Sequence, residues 1–570
     1  MAAYDPLPGS AQQPGLGKLA QCEILPRMSP RVRIFLLLAA IVISATPACE
    51  RRPGVDAEQG SQDPAVVLRR GNGGDPETLD PARAEDVHAF RVLLDLYEGL
   101  VVVGADGGII PGVAKSWDVS SDGLTYTFHL RPDARWSNGE SVSAGHFLAG
   151  LQRTLSPGTN SAYGFLLAPL KNASQILQGA VSPSALGVSA PDDATLVVEV
   201  QSPTPYLLSI LAMPIASPLW NSGELDVEQF SEPGKFVGNG AFMLDNWRPG
   251  SFIRLRRNPE FREAEKVAID FVEYYAIHEP LSELNMYRAG QLDITATVPG
   301  SHVKNLRSSR AAELHIAPSL AIYYLAFDLS EAPFDNPILR KALTMAIDRE
   351  ALVNTIGRGE RPAYGLVPDG MEGYQASRFD WRTLPPQRRN AQARQLYEQA
   401  GYSLAEPLQL TLTFDAGDIH EKIALAVSSM WRDVLRVNVE LDKREWKYFL
   451  ATRDNREDWQ VMRFAWSGDY NHPSTFTEIL QSSSPQNLPG YVNAHYDELL
   501  SAAGAAMDTN EQMRLLAQAE RVMLADNPIA PLYFYVSKHL VAPSVTGFER
   551  NVLDQHPSRF MTKTAAPPAN

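Results

Sequence analysis

A chain of 570 residues exceeds what one hydrophobic core organises, so two or three lobes are expected. Its formal charge of −15 excludes a nucleic-acid or anionic-membrane binder, while 44% hydrophobic residues is ample for globular folding. The only cysteines, Cys22 and Cys49, lie at the N-terminal end, which leaves the body without a disulfide or a cysteine nucleophile. No zinc-type Cys/His spacing and no phosphate-loop glycine pattern occurs, so neither a metal nor a cofactor is expected.

Residues 1–49 read as an upstream extension followed by a secretory signal peptide. Met28 is the expected start, Arg31 and Arg33 form a basic n-region, and Ile34 to Ala45 form an apolar run of about a dozen residues. Such a run is shorter than the roughly 20 residues of a spanning helix. Thr46-Pro47-Ala48-Cys49 follows, with either simple cleavage or lipid attachment at Cys49 as its outcome. Residues 50–65 are polar and rich in Gly, Pro, Gln and Asp, the composition of a tether.

The body opens with a strand at Val66–Gly71 and a turn at Gly73–Pro76. Phe90, Leu93, Leu94 and Tyr97 are spaced for a helix ending near Gly99, and alternate apolar positions around Leu124–Leu130 predict a half-buried strand. A helix is expected over Ala144–Leu155, strands over Thr195–Val200, Ile253–Asn258 and Ile269–Tyr275, and a helix over Glu283–Gly290. A second lobe begins at Tyr323–Asp328, with helices at Pro337–Ala346, 388–400 and 419–435 and a strand at Leu408–Phe414. Helices at Tyr496–Ala506 and Glu511–Ala525 and a strand at Ala530–Val536 complete the alternation, which predicts α/β lobes with mixed sheets.

The stretch Arg463-Phe464-Ala465-Trp466-Ser467-Gly468-Asp469-Tyr470 concentrates binding chemistry. A carboxylate beside aromatic faces accepts an ammonium group, and an arginine clamps a carboxylate through two parallel bonds. A zwitterionic peptide carries both groups. The alternative reading is a strand-to-loop corner whose aspartate caps a turn.

This stretch resembles the W-x-x-D-Y segment of the periplasmic oligopeptide-binding proteins of ABC importers, in which the aspartate receives the peptide's α-ammonium. The run from Gly112 to Gly139 resembles the signature of the wider peptide- and nickel-binding class, and Ile347-Asp348-Arg349 a further family passage. The resemblance extends from about Val66 to Asn551. It implies a bilobed periplasmic-binding-protein fold of the large three-domain variant. Lobe I would comprise 66–97, 222–320 and 535–570, an accessory domain 98–221, and lobe II 321–534.

Carried over position by position, the resemblance implies ligand contacts at Glu85, Val87, Tyr163, His420, Trp446, Arg453, Arg463, Ala465, Trp466, Ser467, Asp469 and Asn487. His420 would meet a longer peptide's carboxylate, and Asp469 the amino terminus. The chain departs from the resembled pattern at Asp293–Thr297, where a Tyr-Asn-Asn cluster is expected, and at Ala321 and Ser467, which replace the cysteine pair of the enteric relatives. The resemblance implies a monomeric receptor for short peptides that delivers them to an inner-membrane permease and its ATPase, touching the membrane only through a lipid on Cys49. Murein peptides are the rival ligand within the family. A peptidase needs an activated nucleophile or a metal, and neither G-x-S-x-G nor H-E-x-x-H is present.

Overall fold

The computed structural model describes residues 65–221, 230–371, 373–403, 405–456, 458–468 and 470–564. The signal segment, Cys49 and most of the tether therefore lie outside the described residues, as does Asp469. No helix among the described residues is long and apolar enough to cross a membrane.

Three principal sheets carry the body. The first orders β1 (Val67–Gly71) beside three later strands. Within the next stretch, β2 (Val101–Val103) pairs with β3 (Ile109–Pro111), and β4 (Ala114–Val119), β5 (Thr125–Leu130), β6 (Val188–Asp192) and β7 (Thr195–Glu199) form a separate antiparallel sheet ordered 4-5-7-6. The first sheet is then completed by β8 (Phe242–Arg248), β9 (Phe252–Arg257) and β10 (Phe271–Tyr275) in the order 1-10-9-8, with β1 parallel to β10. The third sheet is mixed: β12 (Arg361–Pro362), β16 (Ile529–Leu540), β11 (Leu314–Phe327), β15 (Val461–Ser467), β13 (Gln409–Asp415) and β14 (Asn438–Arg444) lie side by side in that order.

Local chemistry sets several boundaries. Asp86 accepts the Ala89 N–H at 2.7 Å and so caps the helix Val87–Leu96. Asn336 and Pro337 start the helix Pro337–Ala346, with Asn336 accepting from Ile338 N at 3.0 Å. Asp508 caps Thr509–Asp526, accepting from Glu511 N at 2.9 Å. Strand β5 buries alternate residues (Tyr126, Phe128, Leu130), as a strand with one face on a core must.

Two large apolar cores result. One gathers residues of the first two sheets, including Leu68, Phe128, Trp136 and Phe242; the other gathers the third sheet and its helices, including Tyr323, Trp431 and Tyr496. Strands β11 and β16 run from one region to the other. The first part of β11 (Leu314–Pro318) pairs with Val536–Leu540 as a ribbon, and β11 meets β15 only from Ala321 onward.

Across β11 and β15 Ala321 is the register partner of Ser467, so the two positions at which the resemblance implies a cysteine pair lie directly opposite each other. The pairing of β11 with β16 slips between Pro318 and Ile322, where proline's missing N–H interrupts the ladder. At the ribbon's end Ile294 bridges Arg70 on one side and Val541 on the other, joining β1 to the ribbon. Thr295 fixes this junction: its N–H donates to Leu540 O at 3.0 Å, and its hydroxyl accepts from Leu540 N at 2.9 Å. The stretch Asp293–Thr297, where the resemblance implies a Tyr-Asn-Asn cluster, thus falls where the two regions meet.

Candidate functional site

Strand β15 presents Arg463, Ala465, Trp466 and Ser467 in the third sheet, between β11 and β13. Arg463 is 6% exposed, and its Nε and one terminal nitrogen both engage Oδ1 of Asp415, the last residue of β13. One edge of the guanidinium is therefore committed to an internal carboxylate. Its carbon lies 5.1 Å from the Phe449 ring centre and 5.9 Å from that of Tyr323, so aromatic faces support the charge from outside the pair.

His420 joins the same group. It is buried at the start of the helix Asp418–Leu435, its Nε2 lies 3.8 Å from Asp415 Oδ2, and its Nδ1 is 3.2 Å from the Tyr323 hydroxyl. Tyr323 stacks on His420 and on Tyr533, at 5.7 and 4.9 Å between ring centres. Trp446 stacks on Phe449 at 6.0 Å, and Arg453 lies two turns further along the same helix, Trp446–Asn455, where it is half-buried. Arg463, His420 and Trp446 are thus brought together through Asp415, Tyr323 and Phe449, none of which was expected from the sequence as a site residue. The one sequence signal for Asp415 is its place at the carboxyl end of a strand, where α/β sheets place ligands.

Trp466 is buried, and its indole N–H donates to Thr475 O at 2.7 Å. Gly468 allows this approach: a Cβ there would lie 2.9 Å from Thr475 Cγ2. Tyr470 then leaves this core for the other, stacking on Tyr206 at 4.3 Å and 9°. The chain on either side of Asp469 is held by these contacts.

The remaining positions are spread over other elements. Tyr163 meets Phe90 edge-on at 5.6 Å, next to the helix that begins at Val87, and Val87 and Glu85 are exposed. Asn487 is buried, and its amide is used within its own loop, donating to Tyr491 O at 2.7 Å and accepting from Tyr491 N at 3.0 Å.

Beside Tyr206 and Tyr470 lies a polar cavity of about 180 Å³, lined by Thr204, Tyr206, His472, Ser474, Glu478 and Gln512. That is below the roughly 300–1,000 Å³ of a small-molecule pocket. Burial pushes the Glu478 carboxyl up from 4.5 to about 7 and the His472 ring down from 6.5 to about 4. Because folding raises the Glu478 pKa, the stability it contributes is complete below about pH 4.5 and lost as pH rises through about 7. His472 works in the opposite sense, contributing above about pH 6.5 and losing its share as pH falls through about 4. Glu478→Gln should therefore match the parent protein near its acid limit and exceed it in stability by about 3 kcal/mol in mild alkali, read as urea midpoints. A variant no more stable in alkali would refute the assignment.

Two cores joined by a two-strand ribbon, with a charged aromatic group at strand ends, define a periplasmic binding-protein fold. Residues 108–487 match the family model described as bacterial extracellular solute-binding proteins, family 5 Middle. The periplasmic oligopeptide-binding protein OppA of Escherichia coli is 35% identical over 501 residues, covering 87% of this chain and 92% of that protein. The probable deoxycholate-binding periplasmic protein YgiS of Escherichia coli is 36% identical over 488 residues, covering 85% and 91%. The unliganded open form of the murein tripeptide-binding protein MppA superposes with a TM-score of 0.81 at 32% identity, covering 88% of this chain and 97% of that one. Another structure of MppA, from Escherichia coli, superposes with a TM-score of 0.70 at 32% identity, covering 88% of this chain and 99% of that one. The chain belongs to family 5 of the bacterial extracellular solute-binding proteins.

Proposed function

We propose that this protein is the receptor of an ABC importer, which captures short peptides between its two cores and delivers them to an inner-membrane permease. The observation that carries the reading is similarity to OppA along nearly the whole body, together with the Trp466–Asp469 segment. In this reading Asp469 pairs with the peptide's α-ammonium. Main-chain hydrogen bonds hold the extended peptide whatever its side chains. Arg463, His420, Trp446 and Arg453 form one wall, and Glu85, Val87 and Tyr163 contribute from the other core. Ala465, Trp466 and Ser467 bound the amino-terminal end, and Asn487 shapes a neighbouring loop. The β11–β16 ribbon serves as the hinge between open and closed states. The protein works in the periplasm as a monomer, with Cys49 as its lipid attachment point.

The similarity to YgiS favours a second reading, an amphipathic acid as ligand. Such a ligand carries a carboxylate and no ammonium, so Asp469 would repel it. Native mass spectrometry of the protein as purified separates the two. The proposal expects bound masses that fragment as peptides of a few residues. A single bile-acid-like mass, or no peptide after incubation with a peptide mixture, would refute it.

A further inference from the structure

We propose that His539, Asp554 and His556 form a binding site for one divalent transition-metal ion at the junction of the β16 ribbon and the C-terminal loop. One donor atom from each of the three side chains lies within 4.8 Å of the others. The Nε2 atoms of His539 and His556 converge on the same oxygen, Asp554 Oδ1, at 2.6 and 3.2 Å. No spacing marks this group in the sequence, because His539 lies on a strand and its partners on a loop that begins to contribute fifteen residues later.

The hydrogen bonds around His539 point to a cation. Its Nδ1 lies 2.8 Å from the Thr295 carbonyl oxygen, which can only accept, so Nδ1 carries a proton. In the neutral ring Nε2 then offers a lone pair, and it faces a carboxylate oxygen that is also an acceptor. Two acceptors at this distance need a positive centre between them, and a proton or a metal ion supplies it. A backbone carbonyl fixing the far ring nitrogen is also how metal-binding imidazoles are oriented.

The loop is held in shape around the group. Arg70 donates to His556 O at 2.8 Å, and Asn551 Nδ2 donates to Gln555 O at 2.7 Å. Gln555 Oε1, between the two loop donors in sequence, is buried without a hydrogen-bond partner. His556 Nδ1 has only a 3.4 Å contact with Asn551 Nδ2, a long one to give up when the ring turns its Nε2 lone pair to a metal. Metal–nitrogen bonds of about 2.0–2.1 Å in a tetrahedral site put donors roughly 3.3 Å apart, so the Asp554 carboxylate must retreat by about 0.7 Å from His539. Arg91 lies 3.7 Å from the other oxygen, Asp554 Oδ2, and competes for the carboxylate without occupying Oδ1. Two imidazoles and one carboxylate select Zn²⁺, Ni²⁺ or Cu²⁺ over Ca²⁺ or Mg²⁺.

The test is titration of the chelator-stripped, full-length protein with Zn²⁺ by calorimetry, and with Cu²⁺ by electron paramagnetic resonance. The expected results are one saturable Zn²⁺ and a Cu²⁺ spectrum with two coupled nitrogens. His539→Gln and His556→Gln should each lower affinity at least about tenfold and remove one nitrogen from the spectrum. Should His539→Gln fail to fold, His556→Gln and Asp554→Asn decide the question. Absence of saturable binding, or binding unchanged in the folded variants, would overturn the proposal.

Discussion

Asp469→Ala is expected to weaken binding of free-amino peptides by roughly 10²- to 4 × 10³-fold while weakening binding of N-acetylated peptides only about fivefold. A ligand ammonium enclosed between two cores loses its water, and removing its carboxylate partner leaves an uncompensated charge at a cost of roughly 3–5 kcal/mol. At about 1.4 kcal/mol per decade, that is the stated range. An acetylated peptide has no charge to strand, so the same substitution removes only a neutral hydrogen bond of about 1 kcal/mol. The neighbouring structure favours a local effect: the Trp466 indole is tied to Thr475 O and Tyr470 is stacked on Tyr206. Calorimetry on matched peptides checks this, and equal losses for both peptides would remove Asp469 as the ammonium site.

The second large effect concerns folding. Glu520, on the helix Thr509–Asp526, is fully buried at 0% exposure. Its Oε1 accepts from Leu366 N and Val367 N, both at 2.9 Å, and its Oε2 from the Tyr374 hydroxyl at 2.8 Å and Ser377 N at 2.7 Å. One carboxylate thus anchors the long segment that follows β12. Burial pushes its carboxyl up from the ordinary range, against the donors that favour the ion. Glu520→Ala strands four buried donors at once, and a loss of about 3–5 kcal/mol is expected in urea unfolding. Glu520→Gln, which keeps one acceptor oxygen, should lose roughly half as much. A change below about 1 kcal/mol for Glu520→Ala would contradict the assigned role.

Much of the fold was legible because its signals are local. The helices Ala144–Leu155 and Pro337–Ala346 follow from apolar spacing and, for the second, from Asn336-Pro337 at its start. Strand β11 was legible only in part. It was expected from Tyr323, yet it begins at Leu314, because Pro318 breaks the alternation and the ribbon half is held by β16, far along the chain. Strand β14 and the helix Trp446–Asn455 gave weak patterns, the strand being half-exposed along its length.

The candidate site divides in the same way. Arg463, His420 and Trp446 could be named from motif resemblance, but Asp415 acquires meaning only by meeting Arg463 across 48 residues of sequence. The internal pairing of Arg463 was invisible for the same reason. His539, Asp554 and His556 are likewise assembled by the fold, from a strand end and a loop.

The most direct measurement is the affinity of the unaltered protein for one tripeptide presented with a free and with an acetylated amino terminus. The account predicts that the free form binds at least about a hundredfold more tightly, since only it carries the charge that Asp469 receives. Equal affinity for the two forms would contradict it.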